Sequence, residues 1–229
     1  MKKILYLFLI TLIVICTSGC SKEFKINSDS KLAEAKRIMN NNLNNYSYDV
    51  KMITKAGFMN VTTNMRCKDD RKNKINYCIT STYGVNNEEY IDYQNKIVYS
   101  KASVTLVEDA TSGRWTSSKY TGGDSNTWIN LNDYIFNLTE EKKDGGTYYK
   151  GTINSQKLVE AIAQIDTDID ISNIVSDDID ISVFINLSNY IESMSFTIEI
   201  MGIEELVEIN YRDFNTSGDI VIPSEVKEN

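Results

Sequence analysis

Three long stretches near the C-terminus alternate apolar and polar residues with a period of two, and they restrict the fold more than any other feature of the chain. Ile181, Val183, Ile185 and Leu187 alternate with Asp180, Ser182 and Asn186. Tyr190, Met194, Phe196, Ile198 and Ile200 alternate with Ser193, Ser195, Thr197 and Glu199. After a turn at Met201-Gly202, Val207, Ile209 and Tyr211 are opposed by Glu208, Asn210 and Arg212. Successive side chains of a strand point to opposite faces, so each stretch reads as a strand with one apolar and one wet face. Three in succession make an antiparallel sheet whose apolar face must be covered by helices or by a ligand. The expected class is α+β.

The same signature recurs upstream. Tyr46, Tyr48, Val50 and Met52 alternate with Ser47, Asp49 and Lys51, and Met59, Val61, Met65 and Cys67 with Asn60, Thr62, Asn64 and Arg66. Beyond a polar turn at 68–74, Ile75, Tyr77 and Ile79 alternate with Asn76, Cys78 and Thr80. Residues 89–93 and 97–101 read as a hairpin turning at Gln94-Asn95-Lys96, and Tyr148–Ile153 as a further strand. The Gly-, Ser- and Thr-rich stretch 111–126, with Trp115, reads as a loop or irregular strand. Helical spacing predicts a helix from the Ser30 cap to about Asn44, through Leu32, Ala35, Ile38, Met39 and Leu43. A short helix is expected over 128–138, and another after Ser155 through Leu158, Val159, Ile162, Ala163 and Ile165. Two or three helices are few for roughly nine strands, an imbalance that points to a hydrophobic cavity.

Residues 1–19 carry a processing signal and stand outside the fold. Lys2 and Lys3 precede an apolar run of 13 residues, Ile4 to Cys16. A membrane-spanning helix needs roughly 20 such residues, so the run suits export instead. It ends in Thr17-Ser18-Gly19-Cys20, which resembles the bacterial lipobox except at Thr17, where Leu or Val is usual. The resemblance implies cleavage before Cys20 and a diacylglyceryl group (commonly palmitate-rich) on its thiol; the short polar stretch that follows makes residues 20–29 a tether, and the length of 30–229 suits one β-rich domain in preference to two small ones. Two acyl chains give durable anchoring where one does not. The expected location is the outer, extracytoplasmic face of the cell membrane.

Removing residues 1–19 takes away two lysines and no acid, leaving 22 basic against 32 acidic residues and a net charge of −10. Such a chain adds to the charge of a nucleic acid instead of displacing its counterions, so no nucleic-acid partner is expected. Anionic headgroups repel it as well, which leaves the lipid on Cys20 to hold it at the membrane.

The order of lipobox, amphipathic helix, meander, mid-chain helical stretch and final long strands resembles the LolA/LppX/LprG-like lipoproteins. So does the ending: Tyr211-Arg212-Asp213-Phe214, a polar link at 215–219, then Ile220-Val221-Ile222-Pro223. The resemblance spans about residues 30–223. It implies a curved antiparallel sheet, an incompletely closed β-barrel, with a few helices covering its concave face. It also implies a ligand of lipid, glycolipid or acylated-protein type. The best-known lipoprotein chaperone of the group is soluble, so an anchored chain fits local handling of an amphiphile better than free shuttling.

The chain contains no histidine, which removes Ser-His-Asp and Cys-His nucleophile systems and most catalytic zinc sites. No Walker loop or dinucleotide fingerprint follows a strand; Gly122-Gly123 and Gly145-Gly146 read as turns. Asp166, Asp168 and Asp170 could open a calcium loop, but Ile171 and Asp177 stand where that loop needs glycine and glutamate. No enzyme activity, cofactor or metal is expected. Cys67 and Cys78 invite a disulfide outside the cytoplasm, yet one lies on the apolar side of its strand and the other among polar residues, so a bridge would need a bulge or shifted register. Candidate ligand contacts are the tyrosines and softer side chains in the apolar register: Tyr46, Tyr48, Met52, Met59, Met65, Tyr77, Tyr190, Met194, Phe196 and Tyr211. Plain core packing is the alternative for each. The competing functional reading is a surface interaction or structural lipoprotein with a packed core that binds a protein partner.

Overall fold

The computed structural model describes residues 31–104, 111–121, 135–153, 178–200 and 203–227. Two compact units emerge, one drawn from residues 1–42 and 122–202, the other from 43–121 and 203–229. Among the described residues β-structure dominates and helices are few.

In the second unit, β1 (Asn45–Ala56), β2 (Met59–Asp70), β3 (Ile75–Thr82), β4 (Val85–Asp92) and β5 (Ile97–Val104) form the expected meander. The short strands β6 (Thr111–Ser112) and β7 (Thr116–Lys119) pair with β5, so part of the stretch read as loop or irregular strand lies in the sheet. On the other side of β1 runs β12 (Ile203–Arg212), with Tyr48 opposite Tyr211, Val50 opposite Ile209 and Met52 opposite Val207. All of these pairings are antiparallel, and the strands within the unit form an open series, not a closed barrel. Buried Tyr46, Tyr48, Val50 and Met52 alternate with Asp49, Lys51 and Lys55, which lie on the wet face. Ion pairs hold that wet face across the strands: Lys51 to Glu208 at 3.3 Å, Arg212 to Asp49 at 2.9 Å, and Lys55 to Glu204.

Two hairpin turns of this unit repeat one chemical plan. In Asp70-Arg71-Lys72-Asn73 the Asp70 carboxylate accepts from Asn73 N (3.0 Å) and Nδ2 (2.7 Å). In Asp92-Tyr93-Gln94-Asn95 the Asp92 carboxylate accepts from Asn95 N (2.8 Å) and Nδ2 (2.7 Å). An Asp side chain that bonds its own backbone a few residues on mimics a turn and fixes it. The next residues, Lys74 and Lys96, take φ of 57° and 58°, which returns the chain to the sheet. The C-terminal tail then crosses this end. Asn215 N donates to Asn45 O at 2.8 Å, and Ile220 N donates to Asp70 Oδ2 at 2.8 Å. Ile222 and Val226, the latter in the short helix α2 (Ser224–Lys227), pack on Tyr99 with Ile75, Tyr90, Ile97 and Trp115 around them.

The first unit pairs β8 (Ile135–Lys143), β9 (Gly146–Ile153), β10 (Ile179–Asn186) and β11 (Ile191–Ile200) in that order, all antiparallel. Its buried face includes Tyr149, Ile153, Ile179, Ile181, Val183, Ile185, Met194 and Phe196. The helix α1 (Lys31–Asn42) buries Leu32, Ala35 and Met39 completely, and Ile191 N donates to Met39 Sδ at 3.3 Å, which seats it against β11. Leu43, read as the last apolar position of the helix, lies past its end. Leu187 is exposed because the alternation ends one residue earlier, where the chain turns through Asn189 with φ of 60°.

One helix expectation is corrected. The short helix read over 128–138 conflicts with β8, which begins at Ile135 opposite Ile153. A register shift between Phe136 and Thr139, with Asn137 at φ 53°, breaks the period of two and leaves a spacing that imitates a helix. The part of that reading over 128–134, the helix after Ser155, the Asp166–Asp170 run and the whole of residues 1–30 lie outside the described residues.

Candidate functional site

The expected contact residues fall into separate groups. Tyr46, Tyr48, Met52, Met65 and Tyr211 share the buried face of the second unit, where β1 lies between β2 and β12. Met194 and Phe196 belong to the buried face of the first unit, and Tyr190 is half-buried at its β10–β11 turn. Met59 stands exposed at the tip of the β1–β2 hairpin. Tyr77 lies on the opposite side of its sheet from Tyr48, stacked with Tyr90 at a centroid distance of 4.6 Å.

The face of the second unit changes character along the strands. Its middle is aliphatic and thioether: Val50, Met52, Met65, Val207 and Ile209. Toward the Asp70 turn it becomes aromatic, with the rings of Tyr46, Tyr48 and Tyr211 5.8 to 6.1 Å apart and mutually tilted, a spacing that favours edge–face attraction between rings. The Arg71 guanidinium lies over the Tyr46 ring at 5.1 Å, and its Nε is 3.7 Å from the buried carboxylate of Asp69. Burial, then the charge of Asp69, push the Tyr46 phenol well above its usual range; burial does the same to Tyr211. Both phenols therefore remain protonated donors. The Tyr48 hydroxyl accepts from Asn76 Nδ2 at 3.3 Å. The Tyr211 hydroxyl, on a residue only 3 % exposed, has no hydrogen-bond partner among the described residues.

Cys67 and Cys78 sit directly opposite one another in the β2–β3 register and are bridged, both buried beside Tyr48. The face assignment read for β3 is thereby inverted. Asn76, Cys78 and Thr80 are the buried side of that strand, while Ile75, Tyr77 and Ile79 are half-buried on the other. No bulge or shifted register is required, because the polar residues of β3 are the ones that share a face with Cys67.

Two carboxyls on this side of the sheet escaped the sequence reading. Glu205, buried opposite Thr54, and Glu89, opposite Cys78, are each pushed up to about 7 by desolvation, a shift that a Thr54 hydrogen bond only partly offsets in the case of Glu205. The period of two places Glu205 in the register of Val207, Ile209 and Tyr211, and only its own charge hid its burial; Glu89, between Glu88 and Tyr90, has no clean alternation around it. Among the described residues no three acidic, cysteine or histidine side chains converge as a metal site. Within them, too, no helix is long and apolar enough to cross a membrane. The arrangement is an apolar face of Met, Val and Ile side chains with phenol donors at one end.

No family model matches the chain, and no curated protein matches it. Solved structures do. The lipoprotein LppX of Mycobacterium tuberculosis overlaps it at 11 % identity and a TM-score of 0.39, over 83 % of this chain and 96 % of that one. A LolA superfamily protein of Nitrosomonas europaea does so at 12 % and 0.31, over 88 % and 97 %. An outer membrane lipoprotein-sorting protein domain of Vibrio parahaemolyticus does so at 11 % and 0.31, over 82 % and 93 %. These neighbours come from the LolA/LppX-like group that the sequence resembles.

Proposed function

We propose that the chain is an extracytoplasmic lipoprotein, anchored through a diacylglyceryl group on Cys20, that binds an amphiphile without catalysing a reaction. The amphiphile is a lipid, a glycolipid or an acylated protein. The observation that carries this reading is the graded face of the second unit, thioether and aliphatic at Met52 and Met65, phenolic at Tyr46, Tyr48 and Tyr211, with the Tyr211 hydroxyl unpartnered among the described residues. Methionine adapts its shape to irregular apolar guests, and a phenol donor suits a headgroup oxygen.

The test is native mass spectrometry of the full chain made in a bacterial host. The expected spectrum shows a lipid adduct beyond the covalent diacylglyceryl mass, lost on delipidation. A peptide beginning at Cys20 with that covalent mass reports the anchor separately. Repeated spectra with the anchor and no adduct overturn the binding reading.

One observation favours a second reading, a packed surface lipoprotein that binds a protein partner. Tyr46, Met52, Met65 and Met194 are each 1 % exposed, and a water-sized void beside them would raise that figure. Under this reading a solvatochromic apolar dye finds no saturable site in delipidated protein; under the first it finds one.

A further inference from the structure

We propose that the tips of the β1–β2 and β3–β4 hairpins enter the lipid–water interface of the membrane that holds the chain, an inference that rests on the anchoring proposed at Cys20. Both tips are two-residue turns: Gly57-Phe58 between the paired Ala56 and Met59, and Tyr83-Gly84 between the paired Thr82 and Val85. Tyr83 and Gly84 have φ of 48° and 73°. Turns with two positive φ values favour Asn-Gly, and a bulky ring in the left-handed region is uncommon, so the turn itself gives no reason for a tyrosine.

The four side chains at these tips are the ones a globular surface normally hides. Phe58 is 98 % exposed, Tyr83 61 %, Met59 43 % and Val85 40 %. They belong to one end of the unit, because Tyr83 Oη donates to the Asn60 carbonyl at 3.4 Å across the two hairpins. Single exposed apolar residues are ordinary, but a group of them marks a surface that meets something.

Charge selects the occupant. Residues 56–65 and 79–87 contain no charged side chain, and the nearest cation, Lys55, is paired with Glu204. The opposite end of the same strands carries Arg71, Lys72, Lys74, Lys96, Asp213 and Asp219. The two tips carry no charge of their own, so they can enter a headgroup layer without dehydrating a charged side chain. Aromatic rings concentrate at the headgroup level of membranes, where one side of the ring is apolar and the other wet.

The experiment places the full lipidated chain in phosphatidylcholine vesicles, with and without bromine on the acyl chains. Tryptophan emission is read for the parent chain, for Phe58→Trp, and for Leu187→Trp, another highly exposed site. The expected result is a blue-shifted added signal in Phe58→Trp that brominated lipid quenches severalfold more than the added signal in Leu187→Trp. Adding Tyr83→Asn, which suits the turn, should weaken that quenching without lowering the thermal midpoint. Equal quenching at positions 58 and 187 overturns the proposal. So does a blue shift at 58 that brominated lipid leaves untouched, which assigns the tips to a second copy or a protein partner. A chain without the diacylglyceryl mass on Cys20 defeats the anchoring reading and this proposal with it, whereas an anchored chain with unquenched tips defeats this proposal alone.

Discussion

Cys67 of β2 and Cys78 of β3 face each other in register with their Cα atoms 4.2 Å apart, and the bond between them closes a loop with a sequence separation of 11. A loop of that size restricts the unfolded chain by about 2–3 kcal/mol. The double variant Cys67→Ala with Cys78→Ala should therefore lower the urea midpoint by about 1 M. A parent chain whose midpoint is the same with and without reductant would show that the bridge adds no stability.

The bridge also shows why the strands were legible and their faces less so. Tyr48 to Met52 and Ile181 to Ile185 alternate cleanly because one face of each meets the core and the other meets water. In β3 the polar side, Asn76, Cys78 and Thr80, is the buried one, since its partners Asp69, Cys67 and Met65 on β2 are themselves buried. Polarity along one strand does not carry that information; the neighbouring strand does. The candidate contacts separate for a similar reason. Tyr77 shares the period of Ile75 and Ile79, and the whole set turns toward the face that the C-terminal tail covers through Ile222 and Val226. Met59 fits the alternation of β2, but it stands at the hairpin tip, where the alternation no longer implies burial.

Glu205 gives a pH dependence of definite sign. Its folded carboxyl titrates at about 7 against 4.5 for the free side chain, with burial the first cause. Between those values the folded state holds a proton that the unfolded state has lost, so stability falls as pH rises from about 4.5 to 7. Glu89 acts in the same direction. Glu205→Gln removes one contribution, of order 1–3 kcal/mol, and should flatten the loss between pH 5 and pH 8. Chemical denaturation at the two pH values measures it; a variant that keeps the full parent slope excludes Glu205 as a source.

Tyr48 and Tyr211 are neighbours with opposite expectations. Tyr48→Phe leaves the buried Asn76 amide without its 3.3 Å acceptor and should cost about 1 kcal/mol. Tyr211→Phe removes a buried hydroxyl that has no partner among the described residues, so stability should hold or rise slightly. The same change should weaken retention of a headgroup-bearing lipid if that hydroxyl serves a ligand. Thermal midpoints of the two variants side by side decide the first point, and a large loss in Tyr211→Phe would mean the hydroxyl has a structural partner.

Asp70 and Asp92 occupy equivalent turns, but only Asp70 also receives Ile220 N. Asp92→Ala forfeits two hydrogen bonds and should cost about 1–2 kcal/mol, while Asp70→Ala forfeits three, one of them buried, and should cost about 2–4 kcal/mol. The larger loss has a local signature: with Ile220 released, amide exchange should rise through 220–226, where Ile222 and Val226 pack on Tyr99. Burial alone would raise the Asp70 carboxyl, yet the donors from Ile220 and Asn73 together lower it below its usual value. A depressed folded value stabilises the protein above the unfolded carboxyl range near 4, and that stability is lost as pH falls through the folded value. The parent chain should thus weaken below about pH 4 through Asp70 and between about pH 4.5 and 7 through Glu205, and Asp70→Ala should lose only the first of these limbs. Equal exchange at 220–226 in both variants would show that Asp70 does not hold the tail.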